Sequence, residues 1–147
     1  MNEEMKAELA KILARDNEVR SAETNKKQAH EEAMKAAEEI WADRVPNVLI
    51  PALTPIVTMI KDAGWVCSVD KLQRGMKVTI YRGDLKTFQG GSRPFISFEM
   101  QKNWTGVSVH EAGPRSIGDD SNSLSVNVEP DILNRRVLDF FKTLALE

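Results

Sequence analysis

The sequence predicts an α+β fold in which a long, coiled-coil-like N-terminal helical arm precedes a five-stranded antiparallel meander covered on one face by two helices. Three observations lead there. Residues 1–45 contain neither Gly nor Pro and carry a seven-residue apolar repeat, as a helix does when it packs along another helix. Residues 65–128 fall into short runs that alternate apolar and polar side chains, the pattern of strands with one buried face. The apolar residues within 47–63 and 130–145 recur instead at helical spacing. The expected division is an arm, or oligomerisation segment, over 1–45 and an α+β body over 46–147, which is long enough to bury its own core.

Met5, Ile12, Val19, Ala33 and Ile40 share one heptad position of the arm, interrupted by Lys26. Ala22, Ala29 and Ala36 share the position three residues further on. These eight apolar residues form a seam that either the chain's own body or a second copy would cover; the second is preferred, so a homodimer or higher homo-oligomer is expected. From Asn2 to Arg44 there are 11 acidic and 8 basic residues, dense and mixed, and Ala, Glu and Lys dominate, all strong helix formers. The seam is bulky at first (Met5, Leu9, Ile12, Leu13) and mostly alanine from Ala22 to Ala37, so its middle buries little area. Helix propensity dips at Asp16-Asn17 and at Ser21 to Asn25, which allows one bent helix or two shorter ones.

Pro46 is expected to stop the arm. Leu49, Leu53, Ile56, Val57 and Ile60 then recur at helical spacing around Pro51 and Pro55. The economical solution makes Thr54 the N-cap and Pro55 the first helical residue, with Gly64 as the left-handed stop. The strand candidates are 65–70, 76–82, 95–102, 106–111 and 124–128. Val78 and Ile80 oppose Lys77, Thr79 and Tyr81; Ile96, Phe98 and Met100 oppose Ser97, Glu99 and Gln101. Val107 and Val109 oppose Ser108 and His110, and Leu124, Val126 and Val128 oppose Ser125 and Asn127. The connections are too short for crossover helices, which makes the topology a meander. A last helix runs from Pro130 to about Ala145, with Leu133, Val137, Phe140, Phe141 and Leu144 as its apolar stripe. Residues 83–93 and 112–123 read as loops, the second holding Asp119-Asp120.

Composition bounds the function weakly. A net charge of −2 gives no general attraction for nucleic acid. The single cysteine, Cys67, excludes an intramolecular disulfide and fits a reducing compartment. It shares a strand face with Trp65 and Val69 and is expected to be buried and inert. The stretch from Val45 to Ile60 holds three prolines and is too short to span a bilayer. The N-terminus has no apolar leader. A cytoplasmic protein with no membrane partner is expected.

Chemistry-bearing patterns are sparse. His110 lies on the outer sheet face, and a 95–102/106–111 hairpin puts Ser97 or Glu99 opposite it, the minimum for base-assisted chemistry. A wet sheet face does not exclude water, and an ordinary polar pair explains the juxtaposition equally well. Two distant histidines and one cysteine have no metal-ligand spacing, and Gly90-Gly91-Ser92 lacks the rest of a phosphate-binding loop. Neither metal nor cofactor is expected. The basic run Lys71, Arg74, Lys77, Arg82, Lys86 and Arg93 faces only Asp70 and Asp84. It suits a phosphate backbone or an acidic protein surface.

The expectation is therefore a non-enzymatic macromolecular-interaction protein, an adaptor, chaperone-like factor or inhibitor, that self-associates and binds a protein partner. The partner-binding candidates are Lys77, Thr79, Tyr81, Arg82, Arg93, Glu99, Gln101, Trp104 and His110. Nucleic-acid binding through the basic 71–93 segment ranks second, and a small hydrolytic enzyme using His110 third.

Overall fold

The computed structural model of the chain describes residues 2–82, 93–101, 105–113 and 119–146, with the side chains of 119–122 excepted. The chain divides into two compact units, Met1–Lys35 and Ala36–Glu147.

The first unit is the greater part of helix α1 (Glu3–Arg44). Asn2 starts the helix by accepting the Met5 N–H at 2.8 Å, which satisfies one of the donors that a helix N-terminus leaves open. The helix is unbroken through 16–17 and 21–25. An Asp16–Arg20 ion pair at 3.2 Å spans one turn across the first of these weak points. All side chains from Asn2 to Ala33 are exposed.

The second unit opens with the last turns of α1, where Ala37 and Trp41 enter the core, followed by Val45. Pro46 does not stop the helix, contrary to expectation. The chain passes through a π-helical turn, Val45–Leu49, straight into α2 (Ile50–Asp62). In that wider turn the Ile50 N–H reaches back five residues to the Val45 carbonyl, and the extra residue accommodates the proline ring. Nor does Thr54 cap a new helix at Pro55. Pro51 falls in the first turn of α2, beside the π-helical turn, where its fixed φ suits the helix. Pro55 lies inside the helix and deprives the Pro51 carbonyl of its donor. Pro51 is exposed, so water can satisfy that carbonyl, while Leu49, Leu53 and Ile60 are buried on the opposite face and hold the helix in place. Gly64, at φ 92°, ends α2 as expected.

The five strands are β1 (Trp65–Leu72), β2 (Gly75–Arg82), β3 (Phe95–Met100), β4 (Gly106–Ala112) and β5 (Asp119–Ser125). They form one antiparallel sheet in sequence order, the meander the sequence predicts. β1 and β2 are joined by the two residues Gln73-Arg74, because Leu72 pairs directly with Gly75. This turn is tighter than the five-residue gap read from the alternation. Its glycine is obligatory for a steric reason: a Cβ on Gly75 would lie 1.9 Å from the Phe98 carbonyl oxygen in β3.

The last strand departs most from expectation. β5 starts at Asp119 rather than Leu124 and ends at Ser125, with a bulge where β4 passes from Ser108 to Val109. Asp119-Asp120 therefore belongs to a strand, not to a loop. Val126 and Val128 are still buried, as the alternation requires, but β4 ends at Gly106 opposite Ser125 and offers them no further partner. Arg44 serves instead. Its guanidinium donates to the Val126 carbonyl at 2.6 Å and the Val128 carbonyl at 2.7 Å, a two-pronged contact that ends the strand without leaving buried acceptors unpaired.

Helix α3 (Pro130–Ala145) follows, with Leu133, Val137, Phe140 and Leu144 buried. The covered sheet face contributes Cys67, Met76, Val78, Ile80, Ile96, Phe98, Met100, Val107 and Val109. Trp65 meets Phe141 edge to face at 5.1 Å, and Asn134 donates to the Ala52 carbonyl at 3.2 Å, tying α3 to α2. Trp41 donates its indole N–H to the Arg74 carbonyl at 2.7 Å, and Arg74 pairs with Glu38 at 2.6 Å. The end of α1 is thereby fastened to the β1–β2 turn.

Candidate interaction surfaces

Two surfaces carry the residues that the sequence singles out. The first is the outer face of the sheet. Pairing carries one polar row across all five strands at the Cα level: Asp70, Lys77, Ser97, His110 and Asp119. The register thus resolves the alternatives for His110 in favour of Ser97. Glu99 pairs with Ser108 instead, and the Ser108 hydroxyl accepts from Gln101 at 2.9 Å and donates to the Glu99 carbonyl at 3.2 Å. Ser97 is buried although it sits on this face. It nevertheless borders the same hollow as His110.

The aromatic residues of the face are overlaid by cations. The Lys77 ammonium lies 5.2 Å from the centre of the Phe95 ring, and the Arg93 guanidinium 4.4 Å from that of Tyr81. His110 leans on Phe95 at 5.5 Å. Each such pair holds a cation at a fixed place for roughly 0.5–1 kcal/mol at an exposed site. Two open hollows of about 390 and 440 Å³ adjoin here and share Lys77 and Phe95. Lys77, Thr79, Tyr81, Arg93, Glu99, Gln101 and His110 all line them. Phe95 is the central residue that the sequence reading missed. Its parity with Ser97 and Glu99 places it on the outer face, and that was the available signal.

Arg82 lies apart from this group. It stands on the opposite parity of β2 and stacks over Trp65 at 5.1 Å. The basic run is likewise dispersed: Arg74 is paired with Glu38, and Lys71 lines a groove of about 270 Å³ with Glu38, Trp41 and Met100. Trp104 and Lys86, with the Gly90-Gly91-Ser92 fragment, lie outside the described residues.

The second surface is the arm. Met5, Ile12 and Val19 are 54%, 64% and 50% exposed, with Leu9 and Leu13 beside them. Ala22, Ala29 and Ala33 are exposed on the same helix. Ala36 and Ile40, the last residues of the seam, lie in the second unit and are exposed as well.

Cys67 is buried, and desolvation pushes its thiol up to about 11, against a smaller opposing effect of the Lys61 ammonium. Among the described residues no three His, Cys, Asp or Glu side chains come together as a metal site would need, and no helix is long and apolar enough to cross a membrane. Comparison with protein-family models, with curated proteins and with solved structures returns no match.

Proposed function

We propose that the protein is a non-enzymatic interaction module that self-associates through its arm and takes a protein partner on the outer sheet face. One observation carries the reading. Residues 36–147 enclose a core of their own, whereas Met5, Ile12 and Val19 leave a bulky apolar stripe exposed on the preceding helix. Exposed apolar stripes of this kind mark interfaces. The outer face supports a protein partner in particular. It mixes Lys77, Arg93 and His110 with Asp70 and Glu99 around two aromatic rings, the composition of a protein-recognition patch with aromatic anchors and a polar surround.

A nucleic-acid groove would gather its cations along one track. Here Lys77 and Arg93 stand on one face of the sheet and Arg82 on the other, which favours the protein reading. The test is capture from native lysate with the wild-type chain and with a Lys77→Glu/Arg93→Glu variant, with and without nuclease. The expected result is a defined protein that the wild type retains after nuclease treatment and the variant loses. Capture that vanishes with nuclease and falls steeply with salt would transfer the function to nucleic acid. Retention by the variant would remove the sheet face from the account.

A further inference from the structure

We propose that two copies of the chain pair antiparallel through residues 5–29, so that each Ile12 seats against the partner's Ala22 and each Lys26 against the partner's Glu8. This rests on the self-association reading above and supplies the orientation and register of that interface. The paired span lies wholly within the first unit of the chain.

Charge and size select this arrangement. One heptad position of α1 holds Met5, Ile12, Val19 and Lys26; the position three residues on holds Glu8, Arg15, Ala22 and Ala29. A parallel, in-register pair sets each residue against its own copy. Glu8 would then face Glu8, Arg15 face Arg15 and Lys26 face Lys26, while the alanine layers would face alanine and leave space unfilled. An antiparallel pair sets one position against the other. In one register Met5 meets the partner's Ala29, Ile12 the partner's Ala22, Val19 the partner's Arg15 and Lys26 the partner's Glu8.

Large residues then fill the space that alanines leave, and Lys26 and Glu8 meet as opposite charges. Arg15 can lay its aliphatic stem along Val19 and send its guanidinium out to solvent. The flanks of an antiparallel pair bring like positions together, so near the two-fold axis Asp16 approaches the partner's Asp16 and Glu18 the partner's Glu18, and Arg20, paired to Asp16 at 3.2 Å, offsets the first of these contacts. Sliding one heptad in one direction sets Lys26 against Arg15. Sliding the other way sets Val19 against Glu8 and Ile12 against Arg15. The Lys26–Glu8 pair together with the filling of the alanine layers by Met5 and Ile12 therefore selects this register.

Cysteine cross-linking of the full chain tests it, with Cys67 serving as a buried, unreactive background thiol. An equimolar mixture of Ile12→Cys and Ala22→Cys chains should form a disulfide-linked dimer under mild oxidation at least tenfold faster than Ala22→Cys alone. In the proposed register the two thiols introduced at position 22 are about 15 Å apart along the axis at the usual helical rise, beyond the reach of a disulfide. A mixture of Met5→Cys and Ala29→Cys repeats the test should the first pair weaken the seam. Lys26→Glu should weaken self-association at least tenfold, and adding Glu8→Lys should restore it. Rapid cross-linking of Ala22→Cys alone would mean parallel pairing and overturn the proposal. A wild-type dimer whose variants cross-link in neither mixture would overturn the register. A monomeric wild type would overturn the self-association reading itself.

Discussion

Phe98 and Phe140 are fully enclosed, at 0% and 1% exposure, from opposite sides of the same core. Truncating either to alanine removes a large buried surface and leaves a cavity, so Phe98→Ala and Phe140→Ala should each cost about 3–5 kcal/mol in denaturant unfolding. Losses near zero would mean that the covered face of the sheet is misassigned. Gly75→Ala should be worse tolerated than Gly64→Ala. The first drives a Cβ into the Phe98 carbonyl, which is backbone and cannot move aside; the second meets nothing within 4 Å and only incurs the strain of φ 92°, about 1–2 kcal/mol. Thermal melts of both variants decide the order. Cys67 gives a pH prediction. Its thiol is raised from 9.0 to about 11 by burial, so between those values the folded chain keeps a proton that the unfolded chain releases. This contribution is intact below pH 9 and is lost as pH rises towards 11. The stability gap between wild type and Cys67→Ala should narrow over that window; a constant gap would contradict the burial argument. The buried identity of Cys67 and Phe98 was legible from alternation alone. The need for glycine at 75 was not, because the atom that forbids a side chain there belongs to Phe98, on a strand well beyond the turn.

At the scale of elements, period reading succeeded wherever burial follows one face. The stripes of α2 and α3 and the inner residues of β2, β3 and β4 all lie where their spacing places them. It failed where a non-local partner decides. Local rules made Pro46 a stop and Pro55 the first residue of a new helix, with a looser turn before it. In the fold a π-helical turn absorbs Pro46, a first turn tolerates Pro51, and Pro55 lies inside α2, where the carbonyl it leaves open belongs to the exposed Pro51. Leu124 to Val128 alternates like a strand, yet the acceptors of its second half bond to Arg44, a residue 82 positions away in the sequence from Val126. That contact and the buried Trp41 make the end of α1 part of the second unit. Deleting residues 1–33 should therefore leave a cooperatively folding chain. Deleting 1–44 removes Trp41 and Arg44 as well and should destabilise by roughly 3–5 kcal/mol or more, the cost of a buried Trp alone. Equal melting temperatures for the two truncations would show that Trp41 contributes nothing to the fold. The outer face was legible on β2, β3 and β4 except for Phe95, whose importance comes from the Lys77 and His110 that pairing brings to it, and for Arg82, which stands on the other parity; Asp119 was hidden in a stretch read as loop.

For the molecule as a whole, the sequence exposes its central feature at once: a long helix with an apolar seam and no Gly or Pro to interrupt it. What the seam meets is not written in any one residue, since the wet stripe from Met5 to Val19 gains from burial only when a second helix arrives. The proposed partner site on the sheet face would persist in a monomer, so the arm is where the account is most exposed to contradiction. Ile12→Glu/Val19→Glu places like charges in the seam while changing only side chains that are 64% and 50% exposed in the single chain. Sedimentation equilibrium of the full chain, wild type beside this variant with far-UV circular dichroism as a check on folding, is the direct test. The wild type should sediment as a dimer or higher homo-oligomer and the variant as a 16.5 kDa monomer with unchanged β structure; a wild type that is itself a monomer at all concentrations would contradict the account.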